Sequence, residues 1–320
     1  MLKLILHERR DSMQENTAVL ATYGLTKRYG SAAALDGVNM MVRRGDIYGL
    51  VGRNGAGKTT LMRMATGQSD PSGGELELFG ASGKAMRAQR SRTGAMIEIP
   101  SFSPFLTARE NLEYYRLQRG IPGKNVVDEA LETVDLRNTG KKKFKTFSLG
   151  MKQRLGLALA LMNRPDFLIL DEPINGLDPE GVAEFRALLR QLNQERHTTI
   201  LISSHILSEL SSIATRYGFM EKGKVLEEIS AEALHDKCRT CLRLEVDDAA
   251  KAAAVLQTQL GTDKFEVLPG NVVQLYEYLD EPQTVSYALA HGGVALLGME
   301  QKGADLEAYF LNLIGGDHHA

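Results

Sequence analysis

The sequence contains no tryptophan and only two cysteines, and neither charge sign is in clear excess. Cys238 and Cys241 form a single C-x-x-C pair, which is too few for the disulfide framework of a small secreted protein. The pair also lacks the second set of ligands that a structural zinc site requires. We therefore expect a protein of the reducing cytoplasm.

Long apolar runs and a basic surface are missing as well. The longest apolar stretch, Leu155 to Met162 with one glycine inside, is far shorter than the roughly 18 residues of a membrane-spanning helix. The 38 Lys and Arg residues are balanced by 40 Asp and Glu residues, for a formal net charge of -2. Proteins that bind nucleic acid through phosphate contacts carry a basic excess, so we expect no nucleic-acid partner.

The length of 320 residues suits one large and one smaller domain. Short β-favouring runs open the chain, helices follow, and the buried strands Phe167–Leu170 and Thr199–Ser203 then alternate with helices. This alternation predicts an α/β fold with a parallel sheet, preceded by an antiparallel β layer. The predicted boundaries give a flexible tail at 1–17 with its start at Met1 or Met13, a main domain at 18–230 and a helical subdomain at about 98–164.

Residues 231–320 are predicted to form an α+β accessory domain. Strands at 240–246, 265–268, 272–276 and 294–300 enclose helices at 248–260 and 284–291, and a last helix covers 305–314. The order β-α-β-β-α-β is that of a ferredoxin-like unit. Its role stays open among regulation, binding of a small ligand and packing.

A phosphate-binding loop lies between a strand and a helix of the main domain. The pattern G-x-x-x-x-G-K-[ST] is matched by Gly52, Arg53, Asn54, Gly55, Ala56, Gly57, Lys58 and Thr59, with Thr60 next in the helix. Glycines let backbone N–H groups turn toward phosphate, Lys58 reaches the β and γ oxygens, and Thr59 ligates Mg²⁺. A plain glycine turn is the alternative, but the strand-to-helix context favours a P-loop NTPase core with ATP and Mg²⁺ as cofactors.

Two carboxylates follow the buried strand Phe167–Leu170, at the end of a sheet where α/β proteins bind ligands. Asp171 is predicted to hold the Mg²⁺ shell, and Glu172 to polarise the water that attacks the γ-phosphate. An acidic pair after a strand is by itself more often a solvated turn. The phosphate loop upstream reverses that preference.

Three further segments resemble motifs of the ABC transporter family. The stretch Ser148-Leu149-Gly150-Met151 is similar to the family's signature, Asn175 to Asp178 resembles its D-loop, and His205 stands where the family keeps a switch histidine. Together with the phosphate loop and the acidic pair, these motifs follow the family's order over about 19–229. The chain is thus identified as resembling an ATP-binding ABC subunit.

The resemblance implies a head-to-tail dimer, either a homodimer or a pair with another ABC subunit. ATP would lie between one phosphate loop and the other subunit's signature, where Ser148 and Gly150 contact the γ-phosphate and Tyr29 stacks on adenine in its own subunit. It also implies a separate integral membrane permease as partner. Such a subunit works as a peripheral protein at the inner face of the cell membrane, which it contacts only through the permease.

This chain departs from the family pattern at two places. Glu98 stands where the family usually has the Q-loop glutamine, and Leu149 and Met151 replace a glycine and a glutamine of the signature. A glutamate keeps an oxygen for Mg²⁺ but adds negative charge beside the phosphates. Glu98 together with this signature resembles the bacterial exporters that give self-protection against bacitracin and lantibiotics.

Two questions stay open at the level of sequence. Phe102 and Phe105 follow the Q-loop position, where they could dock a permease or fill the helical subdomain. The leading function is the ATPase of an exporter of a peptide antibiotic or similar compound, and the alternative is a soluble ABC-type ATPase not coupled to transport. A soluble ATPase of this type would be expected to carry two sets of these motifs in one chain, or a long inserted coil. The sequence has neither. Cargo, permease and direction of transport are not encoded in these motifs.

Overall fold

The computed structural model describes residues 17–98, 101–123, 125–303 and 306–315, which fall into two compact units, Met1–Ala231 and Glu232–Ala320. The predicted tail, with Met1 and Met13, lies outside the described residues except for Thr17. Within those ranges, no helix combines the length and the apolar character needed to cross a membrane.

An antiparallel sheet of order β2-β1-β4-β5 opens the first unit. Its two long strands meet at the Gly30 turn, where a φ of 60° suits glycine. The strands are β1 (Ala18–Tyr29), β2 (Ala32–Arg43), β4 (Gly73–Leu78) and β5 (Ala81–Ser82). The predicted antiparallel β layer is confirmed.

A second sheet of order β10-β9-β3-β8-β7-β6 forms the core of this unit. The strands are β3 (Ile47–Gly52), β6 (Thr93–Met96), β7 (Phe167–Leu170), β8 (Thr199–Ser204), β9 (Arg216–Glu221) and β10 (Lys224–Ser230). Every residue of β3, β7 and β8 is buried, as expected for a sheet covered on both faces. The predicted parallel sheet is confirmed, but β10 runs antiparallel to β9 because the Lys222-Gly223 turn closes a tight hairpin.

Helices of the first unit are capped by the residues that the sequence suggests. Thr107 and Glu110 form a reciprocal capping box before α3, and the Asp178 carboxylate accepts a hydrogen bond from the Gly181 N–H at the start of α6. The helices are α1 (Lys58–Thr66), α2 (Met86–Gln89), α3 (Ala108–Gln118), α4 (Val126–Thr133), α5 (Leu149–Leu161) and α6 (Pro179–Arg196), and they are followed by α7 (Ala231–Cys238), which lies in the second unit from Glu232 onward. Helices α3, α4 and α5 pack together as the helical subdomain.

The second unit is built on one antiparallel sheet of order β12-β13-β11-β14. Its elements are β11 (Cys241–Val246), α8 (Ala249–Gln259), β12 (Phe265–Leu268), β13 (Val272–Leu275), α9 (Pro282–His291), β14 (Leu296–Lys302) and α10 (Leu306–Gly315). This order of elements is that of a ferredoxin-like unit. Cys238 and Cys241 are free thiols, and burial raises the pKa of the Cys241 thiol.

Candidate active site

The phosphate loop leaves the carboxyl end of β3 and enters α1 through two glycines with left-handed backbones. Gly55 has a φ of 84° and Gly57 a φ of 111°. At Gly57 a Cβ atom would lie 2.6 Å from the Ala34 carbonyl oxygen, whereas nothing lies within 4 Å of a Cβ at Gly55. Only glycine therefore fits at Gly57, because both its conformation and its packing exclude a side chain.

Lys58 is the first residue of α1 and is only 4% exposed. Its Nζ donates to the carbonyl oxygens of Gly52 at 2.5 Å and Arg53 at 3.2 Å, and it lies 3.2 Å from Glu172 Oε1. A buried ammonium needs such partners, since burying an unpaired charge is costly. The cation is thus held between the loop and the end of β7.

Thr59 and Asp171 bring the phosphate loop and the end of β7 into direct contact. The Thr59 hydroxyl donates to Asp171 Oδ2 at 2.6 Å, and the Ser203 hydroxyl donates to Asp171 Oδ1 at 2.7 Å. The Ser203 oxygen also accepts the Glu172 N–H at 2.9 Å. Ser203 belongs to none of the sequence motifs, although its place at the end of β8 puts it next to β7, where Leu170 pairs with Ile202.

Glu172 is fixed from two sides. Its Oε2 lies 3.0 Å from His205 Nδ1 and 3.4 Å from Asn175 Nδ2, while Oε1 faces Lys58. The residue has a left-handed backbone with a φ of 45°, which is uncommon for a residue other than glycine. The structure thus brings together Lys58, Thr59, Asp171, Glu172 and His205, five residues selected from the sequence. A carboxylate oriented in this way is suited to accept a proton from water.

Glu98 is paired with an arginine of α1. It follows β6 by two residues, its side chain is 70% exposed, and its Oε1 lies 2.5 Å from Arg63 Nη2. Expected beside Thr59 and Asp171 as an Mg²⁺ ligand, it is bound in this structure to a guanidinium of α1. Thr60, the neighbour of Thr59 in α1, is half-buried.

The signature residues lie at the start of α5. The Ser148 oxygen accepts the Met151 N–H at 3.3 Å and so caps the helix, while Gly150 is in its first turn. Beside them is a groove of about 510 Å³ whose other wall is formed by residues 176–178 and 180–181. The ion pair between Arg154 and Glu184, at 2.5 Å, ties α5 to α6 along this groove.

The aromatic residues selected from the sequence have different environments. Tyr29, at the end of β1, is 54% exposed and has Lys27 Nζ 5.1 Å from its ring centroid, which leaves an accessible ring for stacking. Phe102 is 6% exposed and packs on Phe144, whereas Phe105 is 69% exposed. Docking was one interpretation for both phenylalanines, and it is wrong for Phe102, which belongs to the core of the helical subdomain.

Comparison with known proteins identifies relatives of this chain. A family model described as ABC transporter matches residues 35–175. The bacitracin transport ATP-binding protein BcrA of Bacillus licheniformis is 42% identical over 301 residues, which are 94% of this chain and 98% of that protein. The lantibiotic transport ATP-binding protein SrtF of Streptococcus pyogenes is 40% identical over 210 residues, which are 66% of this chain and 90% of that protein.

Solved structures give the same result for the fold. The cbiO1 protein from Clostridium perfringens, described as part of the ABC transporter complex cbiONQ, matches with a TM-score of 0.62 at 25% identity. The match covers 69% of this chain and 92% of that one.

Proposed function

Because this chain belongs to the ABC transporter family, we propose that it is the ATP-binding and ATP-hydrolysing subunit of an ABC exporter, with a separate permease as its partner. The observation that carries the proposal is the 2.6 Å hydrogen bond from Thr59 to Asp171. It joins a phosphate-binding loop to an acidic strand end, which is the arrangement that phosphoryl transfer requires.

The side chains around this contact suit a magnesium ion. Mg²⁺ prefers oxygen ligands and is usually bound by one or two protein groups together with the substrate phosphates. Thr59 and Asp171 offer a hydroxyl and a carboxylate oxygen close enough to share one small cation. When bound there, Mg²⁺ would neutralise charge on the β and γ phosphate oxygens.

Hydrolysis itself is assigned to residues that surround Glu172. The backbone N–H groups of the loop and the Lys58 ammonium bind the phosphates, since helix N-termini and cations attract anions. His205 and Asn175 orient the Glu172 carboxylate, which accepts a proton from the attacking water. Ser203 holds Asp171 in place from the opposite side.

The site is completed by a second ABC subunit, through whose signature Ser148 and Gly150 meet the phosphates held by the first. The exposed side chain of Tyr29 is available to stack on adenine. A peptide antibiotic or similar compound is the proposed cargo, because two relatives that extend over most of this chain are named for bacitracin transport. The working position is the cytoplasmic face of the membrane, through contact with the permease.

Purification from membranes in mild detergent tests the function as a whole. We expect this chain to co-purify with an integral membrane protein and the complex to hydrolyse ATP. Hydrolysis by the chain alone, with no membrane protein recovered under several detergents, would instead support an ATPase that is not coupled to transport.

Phe105 is the side chain by which we test the permease contact. It lies at the end of the segment 101–105 and is largely exposed, with Lys145 Nζ 5.5 Å from its ring centroid. The Phe105→Asp variant should lose permease in a pull-down while keeping the unfolding midpoint of the parent, because an exposed ring contributes little to the core.

A matched control for this experiment is Tyr287→Asp, since Tyr287 is 70% exposed but belongs to the second unit. It should retain the permease. Equal retention by both variants would contradict docking through Phe105, and unfolding of Phe105→Asp would show that the ring supports the fold.

A further inference from the structure

Two glutamates occupy equivalent places at the ends of neighbouring strands. Strands β6 and β7 are parallel with Met96 opposite Leu170, so Glu98 and Glu172 each follow this pair by two residues. Both have left-handed backbones, with φ values of 61° and 45°. The register of the sheet therefore places two carboxylates side by side at the edge where the phosphate loop lies.

Each of these carboxylates is paired with a cation from the same helix. Glu172 contacts Lys58 at 3.2 Å, and Glu98 contacts Arg63 at 2.5 Å, and both cations belong to α1. Arg63 lies four residues after Thr59, so the two side chains share one face of α1. The guanidinium thus extends from the face of the helix that also carries the Thr59 hydroxyl.

The two pairs differ in how firmly they are held. Lys58 is 4% exposed and Glu172 22% exposed, whereas Arg63 and Glu98 are 38% and 70% exposed. Exposed ion pairs are weak, because water screens them and two long side chains must be ordered. The Glu98 carboxylate can therefore leave Arg63 for another partner. A carboxylate beside the phosphates is a good ligand for a hard cation such as Mg²⁺.

We propose that Arg63 is a positioning residue that competes with Mg²⁺ for the Glu98 carboxylate and so sets the Mg²⁺ concentration at which the site binds nucleotide. This inference rests on the proposed function and assigns a task to a residue outside the family motifs. Arg63 holds the Glu98 carboxylate in the absence of the ion, and Mg²⁺ with nucleotide draws that carboxylate toward Thr59. Glutamate at this position thereby becomes a ligand whose availability is controlled by one arginine.

Arg63→Met tests the inference, because it removes the charge and keeps most of the side-chain length. The readout is binding of a fluorescent ATP analogue titrated with Mg²⁺, which needs no turnover. We expect the Mg²⁺ midpoint to fall about two- to fivefold, as follows from the strength of an exposed ion pair. The Mg²⁺ midpoint of Arg63→Lys, which keeps the charge but loses the planar guanidinium, should lie between those of the parent and Arg63→Met.

The same substitution made in a Glu98→Gln protein separates competition for the Glu98 carboxylate from a general electrostatic effect of the Arg63 charge. In Glu98→Gln the carboxylate is gone, so adding Arg63→Met should leave the Mg²⁺ midpoint almost unmoved. Arg92→Met is the matched control, since Arg92 pairs with Asp166 at 2.6 Å with similar exposure at the opposite end of β6. It should leave the Mg²⁺ midpoint at the parent value.

The possible outcomes are distinct. Equal shifts of the Mg²⁺ midpoint with and without Glu98, or no shift in Arg63→Met, overturn the competition. A change in the unfolding midpoint alone assigns the ion pair to stability and overturns it as well. If the unaltered chain binds the analogue with no dependence on Mg²⁺, the proposed magnesium site fails, and this inference fails with it.

Discussion

Replacing Glu172 with glutamine is expected to lower ATP turnover by about 10² to 10⁴-fold, the usual contribution of a positioned general base. Glutamine has nearly the same shape, so its single amide oxygen can keep the contact with the Lys58 ammonium while its NH2 group faces His205. It cannot accept the proton of the attacking water. Nucleotide binding should therefore persist, and size-exclusion chromatography with MgATP should reveal a nucleotide-filled dimer that does not turn over.

Glu209→Gln is a suitable control for this prediction. Glu209 is a half-buried carboxylate that follows β8, the strand next to β7, and its hydrogen bond at 2.5 Å comes from the Ser204 hydroxyl rather than from a residue of the phosphate loop. ATP turnover by the Glu209→Gln variant should match that of the parent protein. If Glu172→Gln hydrolyses ATP at the parent rate, the proton acceptor is another group and the assignment of Glu172 is wrong.

Gly57→Ala should abolish nucleotide binding and destabilise the first unit, whereas Gly55→Ala should have a milder effect. Both glycines have left-handed backbones, so both variants carry the strain of a Cβ at positive φ. Only at Gly57 does the new atom also meet the Ala34 carbonyl oxygen, at 2.6 Å. We expect Gly57→Ala to cost about 2 kcal/mol more than Gly55→Ala, in the range of overpacked sites.

Urea unfolding of the two variants measures this difference, because the strain common to both cancels. Titration with a fluorescent ATP analogue then shows whether the loop still binds phosphate. Equal stability of the two variants would mean that the loop relaxes around the added methyl group, and the close packing at Gly57 would then not be what fixes its shape.

Much of the fold could be predicted because local chemistry and tertiary structure agree. The capping box at Thr107 and the Asp178-Pro179 helix start are complete within a few residues, and Phe167–Leu170 is a strand with the bounds that its apolar run suggests. Strand β9 was missed. Its Arg216–Glu221 sequence has no alternation, and it is a strand because β3 pairs with it along its length.

The candidate site was likewise predictable from the sequence only in part. The motif residues Lys58, Thr59, Asp171 and Glu172 could be read from spacing, since the strand ends that carry them must meet at one sheet edge. The partner of Glu98 could not, because Arg63 is 35 residues away in the sequence and only the tertiary fold brings the two side chains together. Whether Phe102 or Phe105 is buried was likewise decided by contacts with distant aromatic rings.

The Ser148 hydroxyl caps α5 without using its own hydrogen. A hydroxyl offers two lone pairs and one hydrogen. The cap uses only a lone pair, to receive the Met151 N–H. Aspartate or asparagine would begin a helix equally well, but aspartate would repel a polyphosphate and has no hydrogen to give. Serine fastens its own helix and keeps a hydrogen free, which in the proposed dimer is the hydrogen that it donates to the nucleotide of the other subunit.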